Sequence, residues 1–222
     1  MSGAARIALI HALAQSPAPV EAEFARSWPE AVRMHLLDDS LSSDVARGTD
    51  ASGPPMMARF ATLADYAIST GAHGILFTCS AFGPCIDAVK ERWPAVPILK
   101  PGEAMIAEAA TLGRRIGLVA SFAPTLATMP AEFPASVSVV PFLAAGALDA
   151  LTAGDGDAHD RLVAAAAEEA AASGCDVVAL AQFSIARAAI AVQARVDVPV
   201  LTTVASAVAA LRVRIAATRA LA

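Results

Sequence analysis

The chain has 222 residues, of which 56% are hydrophobic and 17% are charged, and its formal net charge at pH 7 is −5. Alanine, a strong helix former, accounts for much of the apolar content, and no apolar stretch approaches the roughly 18 residues that a membrane span needs. The acidic balance and the lack of basic clusters disfavour nucleic-acid binding. Three cysteines without a CxxC pair fit neither a disulfide framework nor a zinc site, which favours a reduced, cytoplasmic protein.

Short apolar runs alternate with alanine-rich segments along the whole chain. Two of these segments, 59–70 and 159–173, have the apolar spacing of amphipathic helices. Strands that alternate with helices predict an α/β fold with mainly parallel sheets. One long loop is predicted over 38–55. The predicted strands, in chain order, are 7–10, 34–37, 75–78, 96–99, 116–119, 137–142, 177–180 and 198–201.

The sequence also repeats itself. Three pairs of segments match in the same order and at nearly constant spacing: 71–80 with 174–183, 96–99 with 198–201, and 6–10 with 115–119. An internal duplication explains such a set, so each half is predicted to be a four-stranded, mainly parallel sheet flanked by helices, and the halves to be related by a pseudo-twofold axis. We place the halves at 1–102 and 112–205, with an active cleft between them, and expect the last helix, 203–222, to pack on the first half.

The edge of each sheet where the strands end indicates where a site would lie. Ligands of parallel α/β sheets bind beyond the carboxyl ends of the strands, where loops lead into helices. The residues there are rich in hydroxyl and N–H groups, which suit a carboxylate or carbonyl oxygen. The candidate catalytic residues are His11, Cys79 and Gln182, and the candidate substrate-binding residues are Asp39, Ser40, Ser80, Ser121, Thr125, Phe183 and Ser184.

Among these candidates Cys79 has the most reactive type of side chain, a thiol. It ends a predicted buried strand and precedes a helix predicted to begin near Ala81, whose dipole would lower the thiol pKa and favour the thiolate. It is also interpretable as a small buried core residue, because free cysteine is among the most buried residue types. Cys85, inside the following helix, and Cys175, at the opposite edge of its sheet, are predicted to be structural.

The repeat aligns Cys79 with Gln182. The pseudo-twofold axis would make the two side chains face each other across the cleft, so a substrate would meet a thiol on one face and an amide, which does not titrate, on the other. Phe82, Phe122 and Phe183 hint at a substrate with an apolar side group, although each is also interpretable as a core residue.

On these residues the sequence resembles the aspartate/glutamate/hydantoin racemase superfamily over essentially the whole chain. Segment 77–81, which contains Cys79, resembles the Cys-Asn/Thr signature of that family. Segment 116–121, with Thr125 beyond it, resembles the loop that helps to bind the substrate carboxylate. Segment 180–184 lies where the two-cysteine members carry their second Cys-Thr, but Gln182 and Phe183 stand there.

The resemblance implies a cofactor-independent enzyme that acts on a small carboxylic acid, needs no metal and forms a homo-oligomer, a dimer or larger. In two-cysteine members, one thiolate removes the Cα proton and the opposing thiol returns one to the other face. With Gln182 in the second position, another group such as His11 is the second acid, or the reaction needs only one face, or activity has been lost. Candidate donors to the charge of the enolate-like intermediate are Ser80, Ser121 and Thr125.

Three functions therefore stay open. The first is proton transfer by Cys79 at the carbon alpha to a carboxylate, as in a racemase or isomerase. The second is an arylmalonate-type decarboxylase that uses one cysteine as the proton donor. The third is a non-catalytic binder of small carboxylates, which would have no reason to keep a lowered Cys79 pKa.

The weaker candidates also have plain structural interpretations. His11 is interpretable as a hydrogen-bonded loop histidine, and Asp39 with Ser40 as a solvated loop or helix cap. Residues 155–160 lack the further ligands of a calcium loop, so no metal is expected there, and Asp157 is interpreted as a helix N-cap.

Overall fold

The computed structural model describes residues 4–14 and 16–221 of the chain. These residues form two compact units. The first contains the described residues up to Pro101 together with those from Ala207 onward, and the second contains Gly102–Ser206.

The first unit is built on a parallel four-stranded sheet in the order β2-β1-β3-β4. Its interior strands are almost entirely buried, which is why they consist of short apolar runs. Its elements, in chain order, are β1 (Arg6–His11), α1 (Pro17–Ser27), β2 (Val32–Leu37), α2 (Ser40–Ala46), α3 (Pro54–Ser69), β3 (Gly74–Phe77), a 3₁₀ turn (Ser80–Phe82), α4 (Gly83–Arg92) and β4 (Ile98–Leu99).

The second unit has the same topology, a parallel sheet in the order β6-β5-β7-β8. Its elements are α5 (Glu103–Leu112), β5 (Arg115–Ala120), α6 (Ala123–Thr128), a 3₁₀ turn (Met129–Glu132), β6 (Ser138–Leu143), α7 (Ala147–Thr152), α8 (Gly156–Ala172), β7 (Val177–Leu180), a 3₁₀ turn (Phe183–Ala188), α9 (Ala189–Gln193) and β8 (Val200–Thr202). The predicted α/β class and all eight predicted strands are confirmed, with small differences at the strand ends.

Equivalent hydrogen bonds recur at equivalent positions in the two units. One residue past β3, the Thr78 N–H donates to the Ile10 carbonyl at 3.1 Å, and one residue past β7, the Ala181 N–H donates to the Val119 carbonyl at 2.9 Å. These bonds continue the β1–β3 and β5–β7 ladders by one step. They confirm the internal duplication.

The amino-terminal ends of the two central strands, β1 and β5, also make equivalent hydrogen bonds. The backbone N–H of Arg6, the first residue of β1, donates to the His73 ring at 3.0 Å, and that of Arg115, the first residue of β5, donates to the Asp176 carboxylate at 2.9 Å. The backbone N–H groups of Arg115 and Arg114 hold the pKa of Asp176 below its usual value.

The last helix, α10 (Thr203–Leu221), contributes its residues from Ala207 onward to the first unit. There the side chains of Leu211 and Ile215 lie against Gly74, where an added Cβ would come within 2.6 Å of Ile215. The Arg212 guanidinium donates to the Ser27 carbonyl at 2.9 Å. A glycine at the start of β3 therefore lets this helix approach the sheet closely.

Local details differ from the sequence predictions at two places. The predicted loop over 38–55 contains α2 and the start of α3, because the run Ser40–Ala46 forms a helix. Asp155, rather than Asp157, caps α8, with its carboxylate accepting from the Ala158 N–H at 2.9 Å. Within the described ranges, no helix is long and apolar enough to cross a membrane.

Gly71 and Gly174 follow the carboxyl ends of α3 and α8 with φ of +84° and +82°. Because an L side chain is strained there, Gly71→Ala and Gly174→Ala should each lower the free energy of unfolding by roughly 1–2 kcal/mol, about equally. Urea unfolding measures both. Gly83→Ala is the matched control, because that glycine also has open space around it but a φ of −46°. Unequal costs would show that the two turns are not equivalent.

Candidate active site

Cys79 lies just past the carboxyl end of β3, an interior strand of the first sheet, as its position in the sequence predicted. Its backbone is extended (φ −119°, ψ 122°), and the 3₁₀ turn Ser80–Phe82 follows before α4 begins at Gly83. The helix is thus two residues later than predicted. The side chain is half-buried, and Ser80 beside it is exposed.

The predicted lowering of the Cys79 pKa is wrong in direction. Burial raises the thiol pKa, and a hydrogen bond from the Ala81 N–H offsets only part of this effect. A buried thiolate loses its hydration, and one backbone donor does not replace it. Cys79 is therefore a neutral thiol at neutral pH. A neutral thiol can give a proton but cannot take one, so the argument for a resting thiolate base is lost.

The other two cysteines are buried, and both lie where the sequence placed them. Cys85 is inside α4, where its thiol donates to the Ala51 carbonyl at 3.2 Å. Cys175 precedes β7 at the opposite edge of the second sheet.

His11, the last residue of β1, is fully buried, and both of its ring nitrogens have partners. Nδ1 lies 2.9 Å from the Thr78 hydroxyl and Nε2 lies 3.0 Å from Nδ1 of His35. Burial and the neighbouring His35 lower the pKa of His11 to about 4. At neutral pH His11 is uncharged and has no imidazolium proton to give, which does not suit the role of an independent second acid.

Asp39 and Ser40 lie at the start of α2 and are exposed. The Ser40 hydroxyl donates to Asp38 at 2.5 Å, and Arg59 of α3 donates to Asp38 at 2.7 Å. Although burial alone would raise it, these bonds hold the pKa of Asp38 below its usual value. Arg59 also contacts Asp44 at 2.7 Å. Ser40 is therefore part of an ion-pair cluster that ties α2 to α3.

Gln182 and Ser121 lie together at the carboxyl edge of the second unit. Gln182 Oε1 is 2.8 Å from the Ser121 backbone N–H and 3.1 Å from its hydroxyl. Because a backbone N–H only donates, the atom facing it is the amide oxygen, and the orientation of the amide is fixed. Gln182 follows β7 as Cys79 follows β3, with a similarly extended backbone (φ −134°, ψ 148°). The NH₂ group is then the end of this side chain that can donate to a ligand.

The remaining candidates of the second unit lie at the same edge but differ in exposure. Thr125 in α6 and Ser184 in the 3₁₀ turn after β7 are half-buried. Phe183 is 6% exposed, and Phe82 of the first unit is in its core at 1%, so neither is a free apolar contact. Phe122, two residues past β5, is 48% exposed.

Sequence reasoning missed His35 and Glu21, which extend the contacts of His11 to the protein surface. His35 lay inside a predicted strand and Glu21 inside a helix, so no spacing rule connects them. In the residues that the structure describes, no group of three or more His, Cys, Asp or Glu side chains is arranged to hold a metal ion.

Each of the two parallel α/β units carries polar side chains at the carboxyl ends of its central strands, the edge at which proteins of this class bind ligands. The chain belongs to the Asp/Glu/hydantoin racemase family, whose model matches residues 18–211. No curated protein sequence matches the chain.

Solved structures with this fold share little sequence with the chain. An aspartate racemase homologue from Pyrococcus horikoshii OT3 has a TM-score of 0.74 at 15% identity, covering 96% of this chain and 99% of that one. Arylmalonate decarboxylase has a TM-score of 0.67 at 19% identity, covering 95% and 92%. Glutamate racemase from Francisella tularensis, in complex with D-glutamate, has a TM-score of 0.65 at 14% identity, covering 97% and 82%. At such identities the likeness concerns the fold.

The pH dependence of Cys79 alkylation follows from the direction of its pKa shift. Because only the thiolate reacts, the alkylation rate should rise with pH through a midpoint above the ordinary cysteine value. Mass spectrometry of wild type and Cys79→Ser, compared at each pH, isolates the Cys79 signal from that of the two buried cysteines. A midpoint below the ordinary value would show that hydrogen bonding to the sulfur outweighs its burial.

Proposed function

We propose that the chain is a cofactor-independent enzyme in which Cys79 transfers a proton at the carbon alpha to the carboxylate of a small acid, as in a racemase or isomerase. The observation that carries this proposal is a half-buried, neutral thiol at the carboxyl end of an interior strand, in a member of the Asp/Glu/hydantoin racemase family. A thiol at that edge is placed where parallel α/β sheets bind their ligands.

The proton-transfer step involves one bond at sulfur and one at carbon. The Cys79 S–H bond breaks and its proton forms a C–H bond at the carbanionic carbon of an enolate-like intermediate, which leaves the negative charge on sulfur. The intermediate itself forms in the reverse step: the thiolate form of Cys79 takes the Cα proton, the C–H bond breaks, its electron pair passes to the enolate-like intermediate, and the thiol is restored. The Ala81 N–H, which contacts the sulfur, stabilises the thiolate formed in each cycle.

Gln182 is proposed as the polar contact to the substrate carboxylate. Ser121 uses its N–H and its hydroxyl hydrogen on Gln182 Oε1, so Ser121 acts by orienting the amide rather than by donating to the substrate. The Gln182 NH₂ group then offers donors to an anion, and Thr125 and Ser184, at the same edge, offer hydroxyl groups.

Exposed apolar side chains at the carboxyl edges support a substrate with an apolar side group. Leu13 and Phe122 each lie two residues past a central strand and are 45% and 48% exposed. Leu37 and Leu143 each end an edge strand and are 48% and 46% exposed. The repeat thus places a pair of large apolar side chains at the same positions in both units.

Exchange of the Cα proton tests the proposal. In D₂O, wild-type protein should incorporate deuterium at the carbon alpha of one or more acids in a panel of aspartate, glutamate, hydrophobic amino acids and alkyl- or phenyl-substituted malonates, followed by NMR. Cys79→Ser should lower the rate on the order of a hundredfold or more, because it removes the acid–base group. Cys175→Ala, which removes a thiol elsewhere, should leave the exchange rate unchanged.

The products discriminate the three hypotheses. Deuterium exchange with inversion or isomerisation supports the proposal. Release of CO₂ from a malonate, with deuterium in the product and no exchange in other acids, assigns the decarboxylase. Binding of an acid with neither exchange nor CO₂ release, by wild type and Cys79→Ser alike, assigns the binding protein.

Gln182→Glu tests the role of the amide. The variant keeps an oxygen for Ser121 but replaces the NH₂ donor with a second acceptor that repels a carboxylate. We expect KM to rise about tenfold or more, because a hydrogen bond to a charged group is lost. Ser121→Ala is the control, since the backbone N–H that orients the amide remains. An unchanged KM for Gln182→Glu would remove Gln182 from the binding site.

A further inference from the structure

A continuous hydrogen-bonded chain runs from the surface of the first unit to the residue before Cys79. Glu21 of α1 contacts His35 of β2, with Oε2 and Nε2 3.2 Å apart. His35 Nδ1 lies 3.0 Å from His11 Nε2, and His11 Nδ1 lies 2.9 Å from the Thr78 hydroxyl. The rings of His11 and His35 are nearly parallel, within 12°. The mechanism above uses neither Glu21 nor His35.

The outer end of this chain is an anchored carboxylate. Arg33 donates to Glu21 Oε1 at 2.5 Å, and Arg33 itself is held by the Ala31 carbonyl at 2.7 Å. Hydrogen bonds from Arg33 hold the pKa of Glu21 below its usual value. Glu21 is therefore ionised at neutral pH, and an ionised carboxylate only accepts hydrogen bonds.

In the state in which both histidine rings are uncharged, the direction of every bond in this hydrogen-bonded chain follows from that end. With Glu21 accepting, His35 Nε2 must donate, and in uncharged His35 the other nitrogen, Nδ1, accepts. His11 Nε2 must then donate to His35, which leaves His11 Nδ1 as an acceptor. In that state the Thr78 hydroxyl gives its hydrogen to His11 Nδ1 at 2.9 Å rather than to the Ile10 carbonyl, which lies 3.4 Å away.

Among the residues that the structure describes, this hydrogen-bonded chain lies in the first unit, which carries Cys79, and has no counterpart in the second. At the positions equivalent to His11 and Thr78, the second unit has Ala120 and Ala181. Leu9 pairs with His35 in the first sheet, whereas its counterpart Leu118 pairs with Pro141, which has no polar side chain. The inner end of this hydrogen-bonded chain, Thr78, is the residue directly before Cys79.

We infer that Glu21 and His35 are positioning residues that act through His11 to orient Thr78 and the strand end that bears Cys79. Thr78 is 6% exposed and is joined to β1 twice, by its backbone N–H and by its hydroxyl. Fixing both groups fixes the backbone from which the Cys79 side chain projects. The catalytic consequence rests on the proposed function, but the direction of the hydrogen bonds does not.

Histidine tautomers test the direction without any substrate. At pH 8, long-range ¹H–¹⁵N NMR of wild-type protein should show His11 and His35 protonated on Nε2. His159 provides the opposite reference, because its Nδ1 faces the Ala147 carbonyl at 2.9 Å and must carry the hydrogen. Assignment uses one His→Gln variant at a time. A His11 ring protonated on Nδ1 would overturn the inference.

Two substitutions of His35, which is exposed, distinguish a positioning effect on catalysis from a general loss of folding stability. His35→Phe interrupts the hydrogen-bonded chain between Glu21 and His11, and we expect kcat to fall on the order of tenfold with a smaller change in KM. His35→Gln can still accept from His11 and donate to Glu21, and we expect it to recover most of kcat. Both variants should unfold at similar urea concentrations. Equal kcat in wild type and His35→Phe would overturn the inference, as would failure of His35→Gln to recover activity.

The alkylation rate of Cys79 at fixed pH keeps this test independent of turnover. It should change severalfold in His35→Phe and remain near the wild-type rate in His35→Gln. If no acid is turned over but the alkylation rates differ in this way, the proposed function fails and the positioning role stands. If the alkylation rate is the same in all three proteins, the positioning role fails whatever the activity.

Discussion

The ladder between β1 and β3 continues one residue beyond β3, where the Thr78 N–H donates to the Ile10 carbonyl, and the same bond recurs between Ala181 and Val119 in the second unit. This parallel pairing brings the carboxyl ends of neighbouring strands to one edge. It places Thr78 against His11, and Gln182 against Ser121, although 67 and 61 residues separate the members of these pairs. The Thr78–His11 and Gln182–Ser121 contacts both depend on that pairing.

The two units use the shared geometry for different chemistry. In the first unit the residue after the ladder is Cys79, whose thiol is kept neutral by burial. The residue before it, Thr78, is the inner end of a hydrogen-bonded chain that reaches the surface. In the second unit it is an amide whose oxygen is held by Ser121. The same position after the ladder therefore carries a titrating group in the first unit and a non-titrating hydrogen-bond donor in the second.

Much of the fold could be predicted from the sequence, because strand and helix depend on local patterns and the repeat confirms them twice. The two failures over 38–55 and at Asp157 involve short polar segments, where one helical turn and one loop have similar local preferences. The positions of Cys79 and Gln182 were equally predictable, because the end of a strand is encoded nearby in the chain.

The pKa direction of Cys79 could not be predicted from its place before a helix, because it depends on how far packing removes the thiol from water. The state of His11 depends on His35 and on burial, and neither is encoded by a motif near residue 11. The sequence by itself therefore determined the two α/β units and the edge where the candidate residues lie, since apolar periodicity and duplication are properties of the chain. Only the tertiary structure decided which of those residues hold a proton and which hydrogen bonds they make, because burial and long-range contacts set both.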